Sequence, residues 1–527
     1  MADTGNVERC WMEAARKEIA SLEKNGTWLE VNASEAKSRI LPGTWVFKQK
    51  RTPDGEISKY KARYCVRGDL EEGEPETFAP VMAWSSVSLF LVLSLTLNWD
   101  TCSIDFSSAF VQARLKDPVW IHLPRGFQSS GTDSDSKRSL RLVKSLYGLS
   151  VAPRLWFHHV LAAFTSQGFK QSQNDPCFLY KSTIMVVLYV DDVGIAYANQ
   201  KDLETLLENL TKKGLEFTRE GTFTDFLVGI KFVKDEVRKV VTLTQKGLIQ
   251  KIIDATGMTD CNPNWTPAIQ QTLGIDPEGE PMDETWSYPS VVGTLLYLST
   301  NTRPDISFAV RQVARFNHSP KHSHATAIKT LVRYLHRTWD KGTIVRPTGD
   351  LSLTCYVDAD FAGRHGRDPD YTPSSAKSRT GYLITLGGCP ILWKSQLQPE
   401  ISLSTLEAEY SALSSIMRTL LPLRSMLIEV IGGLNLPSQF KSTIQCRVFE
   451  DNNGALLLAT KQRITNRMKY FLVKWHFFWS HVQSGEIDVL KIDTKEQWAD
   501  LSTFESLSKV GEVWMGSSAA KTENPIA

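Results

Sequence analysis

Ile184-Met185-Val186-Val187-Leu188-Tyr189-Val190-Asp191-Asp192-Val193-Gly194-Ile195 sets two carboxylates side by side between two apolar runs of strand-forming residues. A continuous apolar run bounded in this way reads as a strand buried on both faces. The aspartates then sit at a tight turn, where the chain doubles back into the second run as a hairpin. Aspartate is at home in turns, so a plain hairpin tip accounts for the pattern. Two like charges framed by hydrophobic strands also repel each other unless a cation neutralises them, and such oxygen ligands suit Mg²⁺. The rest of the chain favours the cation.

With 42% apolar and 22% charged residues, the 527-residue chain reads as globular and long enough for several domains. A formal net charge of +2 gives no global attraction for nucleic acid. Basic residues do cluster locally, at Lys48, Lys50 and Arg51, at Lys59, Lys61, Arg63 and Arg67, and at Lys461, Arg463, Arg467, Lys469 and Lys474. Such runs bind phosphate or form solvated faces. The eight cysteines are scattered without a CxxC pair, which points to reduced thiols in an intracellular protein and away from a zinc site or disulfide frame. No signal peptide opens the chain and no apolar run reaches bilayer length, so no membrane role is expected.

The spacing of Val7, Trp11, Ala14, Ala15, Glu18, Ile19 and Leu22 predicts an amphipathic helix over 7–24, stopped at Asn25-Gly26-Thr27. A hairpin follows, with arms at 43–50 and 57–68 joined by Pro53-Asp54-Gly55 and basic residues on both arms. Lysine and arginine there grip an anion or keep an edge hairpin soluble. An apolar helix over 85–97 leads to the strand Asp100–Phe106, where Asp105 is a strand-end acid or a helix cap. After a polar loop at 128–139 come Lys144–Leu149 and Ala152–Trp156, then a helix to about Gln167.

Seven blocks now stand in order: Trp45-Val46-Phe47-Lys48, Tyr60-Lys61-Ala62-Arg63, Glu76-Thr77-Phe78-Ala79-Pro80-Val81, Asp105 with Ala109-Phe110, Ser145-Leu146-Tyr147-Gly148-Leu149, Ala152-Pro153-Arg154 and Tyr189-Val190-Asp191-Asp192. Together they resemble the reverse transcriptases of copia-type LTR retrotransposons (Pseudoviridae-like) over about residues 8–270. The resemblance implies a right-hand polymerase of fingers, palm and thumb, within an α+β or α/β multidomain chain. It implies Asp105, Asp191 and Asp192 as metal ligands and catalytic carboxylates for two Mg²⁺ or Mn²⁺ ions, which nucleotidyl transfer requires. Lys61 and Arg63 match the basic finger strand that grips the triphosphate, a task suited to guanidinium. Phe110 stands where the family places a bulky side chain under the sugar, against a 2′-hydroxyl. Tyr147 and Gly148 resemble the pocket floor.

Further on, Thr222–Ile230 is similar to a strand of the family, and a Gln-initiated helix is expected over 241–257. The Pro-, Gly- and Asp-rich stretch 259–285 reads as a linker. Gly293–Leu298 and Arg303-Pro304-Asp305-Ile306 resemble the connection segment, taken as 271–349. From 350 the chain predicts three strands, a long helix over 402–431, a strand at 446–450, a helix at 453–460 and a strand at 487–492. That order is that of an RNase H fold, placed at 350–505, and its motifs resemble the copia-type nuclease. Asp358, Glu407, Asp451 and Asp500 fall on its four acidic positions, again implying two metal ions. Glu409 and Asp360 are set aside as neighbours without a role. The tail, 506–527, reads as disordered.

The chain departs from the family at Ser88, Ser150-Val151, Lys469-Tyr470-Phe471 and Ser502-Thr503. The expected activity is RNA-directed DNA synthesis with linked ribonuclease H. Its partners would be an RNA template, a DNA primer, the RNA–DNA hybrid and dNTPs, in the cytoplasm (a virus-like particle) or nucleus. The alternative is a decayed remnant that at most binds nucleic acid. Protease, capsid and integrase parts are not seen, so a C-terminal fragment or truncated element is expected.

Overall fold

The computed structural model describes residues 4–51, 57–73, 75–127, 137–221, 229–235, 237, 240–268, 273–283, 285–363, 365, 373–437, 440, 444–461, 476–499 and 515–517. It is a mixed α/β structure in which two sheets carry the acidic residues of interest.

The first is six-stranded, in the order Phe217–Gly221, Asp100–Phe106, Asp192–Tyr197, Ile184–Tyr189, Phe178–Lys181, Lys170–Gln171. Its middle strands are apolar on both faces because helices cover them: Ile184 through Leu188 and Val193 through Tyr197 are all buried. The helices Trp84–Thr96 and Ala152–Thr165 supply Phe90, Leu93, Trp156 and Phe164 to the same core. The basic hairpin is a separate two-stranded sheet, Gly43–Arg51 paired with Ile57–Val66. The helix Thr4–Lys24 lies on it, with Trp11 edge-on to Phe47 and Tyr60 and Ala14 and Ala15 against Ala62.

The second sheet has five strands, in the order Cys389–Leu397, Arg379–Leu386, Leu353–Asp360, Cys446–Glu450, Asp488–Lys491. The first three run antiparallel and the last two parallel to their neighbours. The helix Thr405–Gly433 packs across it and also reaches the six-stranded sheet. Its Glu429 accepts hydrogen bonds from Ser172 Oγ (3.0 Å), Gln173 N–H (3.2 Å) and Tyr180 Oη (3.2 Å). One hydrophobic core therefore runs through both sheets. A second core gathers the helices Lys246–Thr256, Tyr288–Asn301, Ser307–Val313 and His322–Arg337. Beside it Arg303 and Asp305 form a buried ion pair at 2.8 Å.

Several expectations change. Val240–Thr244 is a buried strand, and the helix begins only at Lys246, because the β-branched run pairs with Lys231–Asp235 and Lys341–Val345. The strands Arg114–Ile121, Phe178–Lys181 and Lys341–Val345 were not expected at all. Within the supposedly disordered tail, Met515–Ser517 pairs with Lys341–Thr343. Most of the block Thr222–Ile230, Lys469 to Phe471, Ser502-Thr503 and the remaining tail lie outside the described residues. Among the described residues, no helix is long and apolar enough to cross a membrane.

Candidate active sites

The Asp-Asp hairpin turns more tightly than its sequence implies. Tyr189 pairs with Asp192, so Val190 and Asp191 alone make the turn and Asp192 already opens the return strand. Val190 takes the left-handed region at φ +57°, which is costly for a β-branched residue. Two hydrogen bonds hold it there: Trp156 Nε1 donates to the Val190 carbonyl at 2.6 Å, and Phe106 N–H donates to the Asp191 carbonyl at 2.9 Å. The second bond ties the turn to the end of the Asp105 strand. Asp105 and Asp192 are direct cross-strand partners, which puts their side chains on one face of the sheet. All three aspartates are half-buried.

The five residues expected to bind substrate gather nearby. Lys61 and Arg63 share one face of the strand Ile57–Val66, two residues apart. The Arg63 guanidinium lies 4.4 Å above the Tyr147 ring, and Tyr147 meets Phe110 edge-on at 5.3 Å. Burial pushes the Tyr147 hydroxyl up to about 12, so it stays a neutral donor. Gly148 has φ +92°, and a Cβ there would fall 2.0 Å from the Val66 carbonyl oxygen. Only glycine lets the backbone come this close, and Val66 N–H donates to the Tyr147 carbonyl at 2.7 Å. Of the departing positions, Ser150 donates through N–H and hydroxyl to Glu71, and Ser88 is buried in its helix.

In the five-stranded sheet, carboxylate oxygens of Asp358, Glu409 and Asp451 all lie within 4.8 Å of one another. Glu407, the expected acid, is not among them. Its Oε2 accepts from Leu403 N–H at 2.8 Å and its own N–H donates to Ser404 Oγ at 3.2 Å, so it serves the start of its helix. Glu409, two residues on, is buried and stands with Asp358 and Asp451. The signal was present in the sequence: Ser404-Thr405-Leu406-Glu407 has the spacing of a helix-capping pair, which assigns Glu407 to the cap. Asp500 lies outside the described residues. Gln497, three residues earlier, donates to the Val357 carbonyl at 2.9 Å.

Glu450 is a further acid that sequence reading did not single out. It is fully buried, with Oε1 accepting from Asn452 N–H at 3.1 Å. Burial, and then the like charges of Glu450, Asp358 and Asp451, hold the Glu409 carboxyl far above the ordinary carboxylate range. Oε2 of Glu409 is buried without a hydrogen-bond partner among the described residues. An all-oxygen donor set with an unsatisfied buried carboxylate fits a hard divalent cation such as Mg²⁺ or Mn²⁺. The Asp105–Asp191–Asp192 set has the same donor chemistry.

Residues 25–270 match the family described as reverse transcriptase (RNA-dependent DNA polymerase). The chain is similar to the Retrovirus-related Pol polyprotein from transposon RE1 of Arabidopsis thaliana, at 31% identity over 94% of this chain and 32% of that protein. It is also similar to the corresponding polyprotein from transposon TNT 1-94 of Nicotiana tabacum, at 32% identity over 93% of this chain and 36% of that protein. For transposon RE2 of Arabidopsis thaliana the values are 31%, 95% and 33%. The chain thus spans about a third of the length of these relatives.

Proposed function

Because the chain belongs to the copia-type retrotransposon Pol family and carries its reverse transcriptase domain over residues 25–270, we propose that it copies RNA into DNA and cleaves RNA in the resulting hybrid. The observation that carries this reading is the pairing of Asp105 with Asp192 beside the Asp191 turn, next to the stack of Arg63, Tyr147 and Phe110. In this reading the six-stranded sheet is the palm and the basic hairpin belongs to the fingers. The thumb lies towards 270, the connection segment spans 271–349, and the five-stranded sheet is the core of an RNase H-like domain over 350–505.

Each residue then has a task that its surroundings support. Arg63, fixed over Tyr147, offers a planar fork of donors to triphosphate oxygens, and Lys61 adds a second cation on the same face. Phe110, braced by Tyr147, stands against the sugar and disfavours a 2′-hydroxyl. Gly148 lets the pocket floor lie against the finger strand. Divalent ions held by Asp105, Asp191 and Asp192, and by Asp358, Glu409 and Asp451 with Asp500, would activate the attacking hydroxyl or water and neutralise charge on phosphate. The buried Glu409 excludes bulk water from one side of its cluster.

The test is primer extension on a poly(rA)·oligo(dT) template with Mg²⁺ or Mn²⁺, wild type beside Asp105→Asn. Extension by wild type alone supports the reading. Folded wild-type protein that extends no primer with either metal contradicts it.

A further inference from the structure

Trp156 is buried one turn into the helix Ala152–Thr165, edge-on to Phe106 at 5.0 Å. That helix follows the pocket floor directly, and Ala152 N–H donates to the Leu149 carbonyl at 3.2 Å. The Trp156 indole N–H donates to the Val190 carbonyl at 2.6 Å, and Phe106 N–H donates to the Asp191 carbonyl at 2.9 Å. The Trp156–Phe106 pair therefore holds both carbonyls of the two-residue turn. A hairpin turn with positive φ at its first residue favours glycine there, and valine stands at this one with φ +57°. Packing from behind does not compensate, because Val190 and Trp156 share a cavity of about 260 Å³ with Pro80, Val81, Phe157 and Leu188. The turn is held in an unfavourable backbone by hydrogen bonds, beside open space.

We propose that Trp156 is a positioning residue for DNA synthesis: its indole N–H latches the Val190–Asp191 turn in its strained form and so fixes where the Asp191 carboxylate stands relative to Asp105 and Asp192. Without that donor the Val190 carbonyl loses its partner, and the backbone relaxes towards the negative φ that a β-branched residue prefers. Asp191 follows directly in the chain and moves with it. A shift of about 1 Å in a catalytic group is enough to cost rate severely, so the latch acts on turnover and leaves nucleotide binding alone. The inference rests on the polymerase reading above and adds to it a residue that touches neither substrate nor metal.

The test compares wild type, Trp156→Phe, Val190→Gly and the double variant, as full chains, in two measurements. Phenylalanine keeps an aromatic ring against Phe106 and removes the donor. In metal-free hydrogen exchange, the Phe106 amide and the turn should exchange about tenfold faster in Trp156→Phe, the scale of one orphaned hydrogen bond. In steady-state primer extension kcat should fall about tenfold while the KM for dTTP stays within about twofold, because the stack of Arg63, Tyr147 and Phe110 is untouched. Glycine at 190 carries no penalty at positive φ, so in the Val190→Gly background Trp156→Phe should cost only about twofold in kcat. A tryptophan that merely fills the core would cost the same in both backgrounds. Where phenylalanine lowers the melting temperature, a benzothienyl analogue at position 156, with sulfur in place of the indole N–H, serves as the probe. Unchanged exchange or unchanged kcat in the folded variant overturns the proposal, as does an equal loss beside glycine. A wild type that extends no primer overturns the polymerase reading, and this inference with it.

Discussion

Asp105 and Asp192 face each other directly across neighbouring antiparallel strands, and Phe106 N–H binds the Asp191 carbonyl immediately beyond. Opposed carboxylates at such a position weaken a sheet. In the proposed reading, a bound divalent cation offsets that repulsion. In the absence of divalent cations, Asp105→Asn should melt no lower than wild type, while its primer extension falls about a thousandfold. Melting several degrees lower would make Asp105 a structural group.

Glu409 and Glu407 part company on one helix. Glu409→Gln should abolish cleavage of RNA in a labelled hybrid. Glu407→Ala should retain cleavage and cost about 1 kcal/mol of stability, the value of a helix-start hydrogen bond. Loss of cleavage in Glu407→Ala at unchanged stability would return Glu407 to the site.

The crowded acids also predict a pH dependence. Burial and neighbouring carboxylates raise the Glu409 carboxyl in the folded state above its unfolded value. A raised acid stabilises the fold at low pH, and that contribution is lost as pH climbs past the unfolded value. In chelator, wild type should therefore lose melting temperature between about pH 5 and 8, and Glu409→Gln should lose less. Added Mn²⁺ should restore wild type at the upper end, since a ligand of the folded state stabilises it. Parallel curves for both proteins would remove Glu409 from the cluster.

Gly148 offers a test of the pocket floor. Alanine would place a methyl group 2.0 Å from the Val66 carbonyl oxygen, at a φ that disfavours a side chain. Gly148→Ala should lose about 2–4 kcal/mol of stability by denaturant titration and raise the KM for nucleotide by displacing Tyr147. Wild-type stability and KM would show that the floor gives way freely.

Much of this was legible in the chain because local pattern and tertiary role agreed. The runs around Asp191-Asp192 are apolar on both faces since helices cover them, so the hairpin showed itself. The strand Cys446–Glu450 and the helix Asn453–Thr460 fall at their expected bounds. Reading failed where tertiary context decides. Lys341–Val345 is a strand only because Val240–Thr244 and Met515–Ser517 flank it, from about 100 and 170 residues away in the chain. Glu407 and Glu409 look alike in sequence until one asks which residue the helix start consumes.

Two acidic sets on two sheets predict two separable activities, and one crossed experiment tests this most directly. Asp191→Asn and Glu409→Gln are each assayed for primer extension and for hybrid cleavage, with folding checked by thermal melting. Asp191→Asn should lose extension and keep cleavage, and Glu409→Gln should do the reverse. Loss of both activities in either folded single variant would contradict two independent sites.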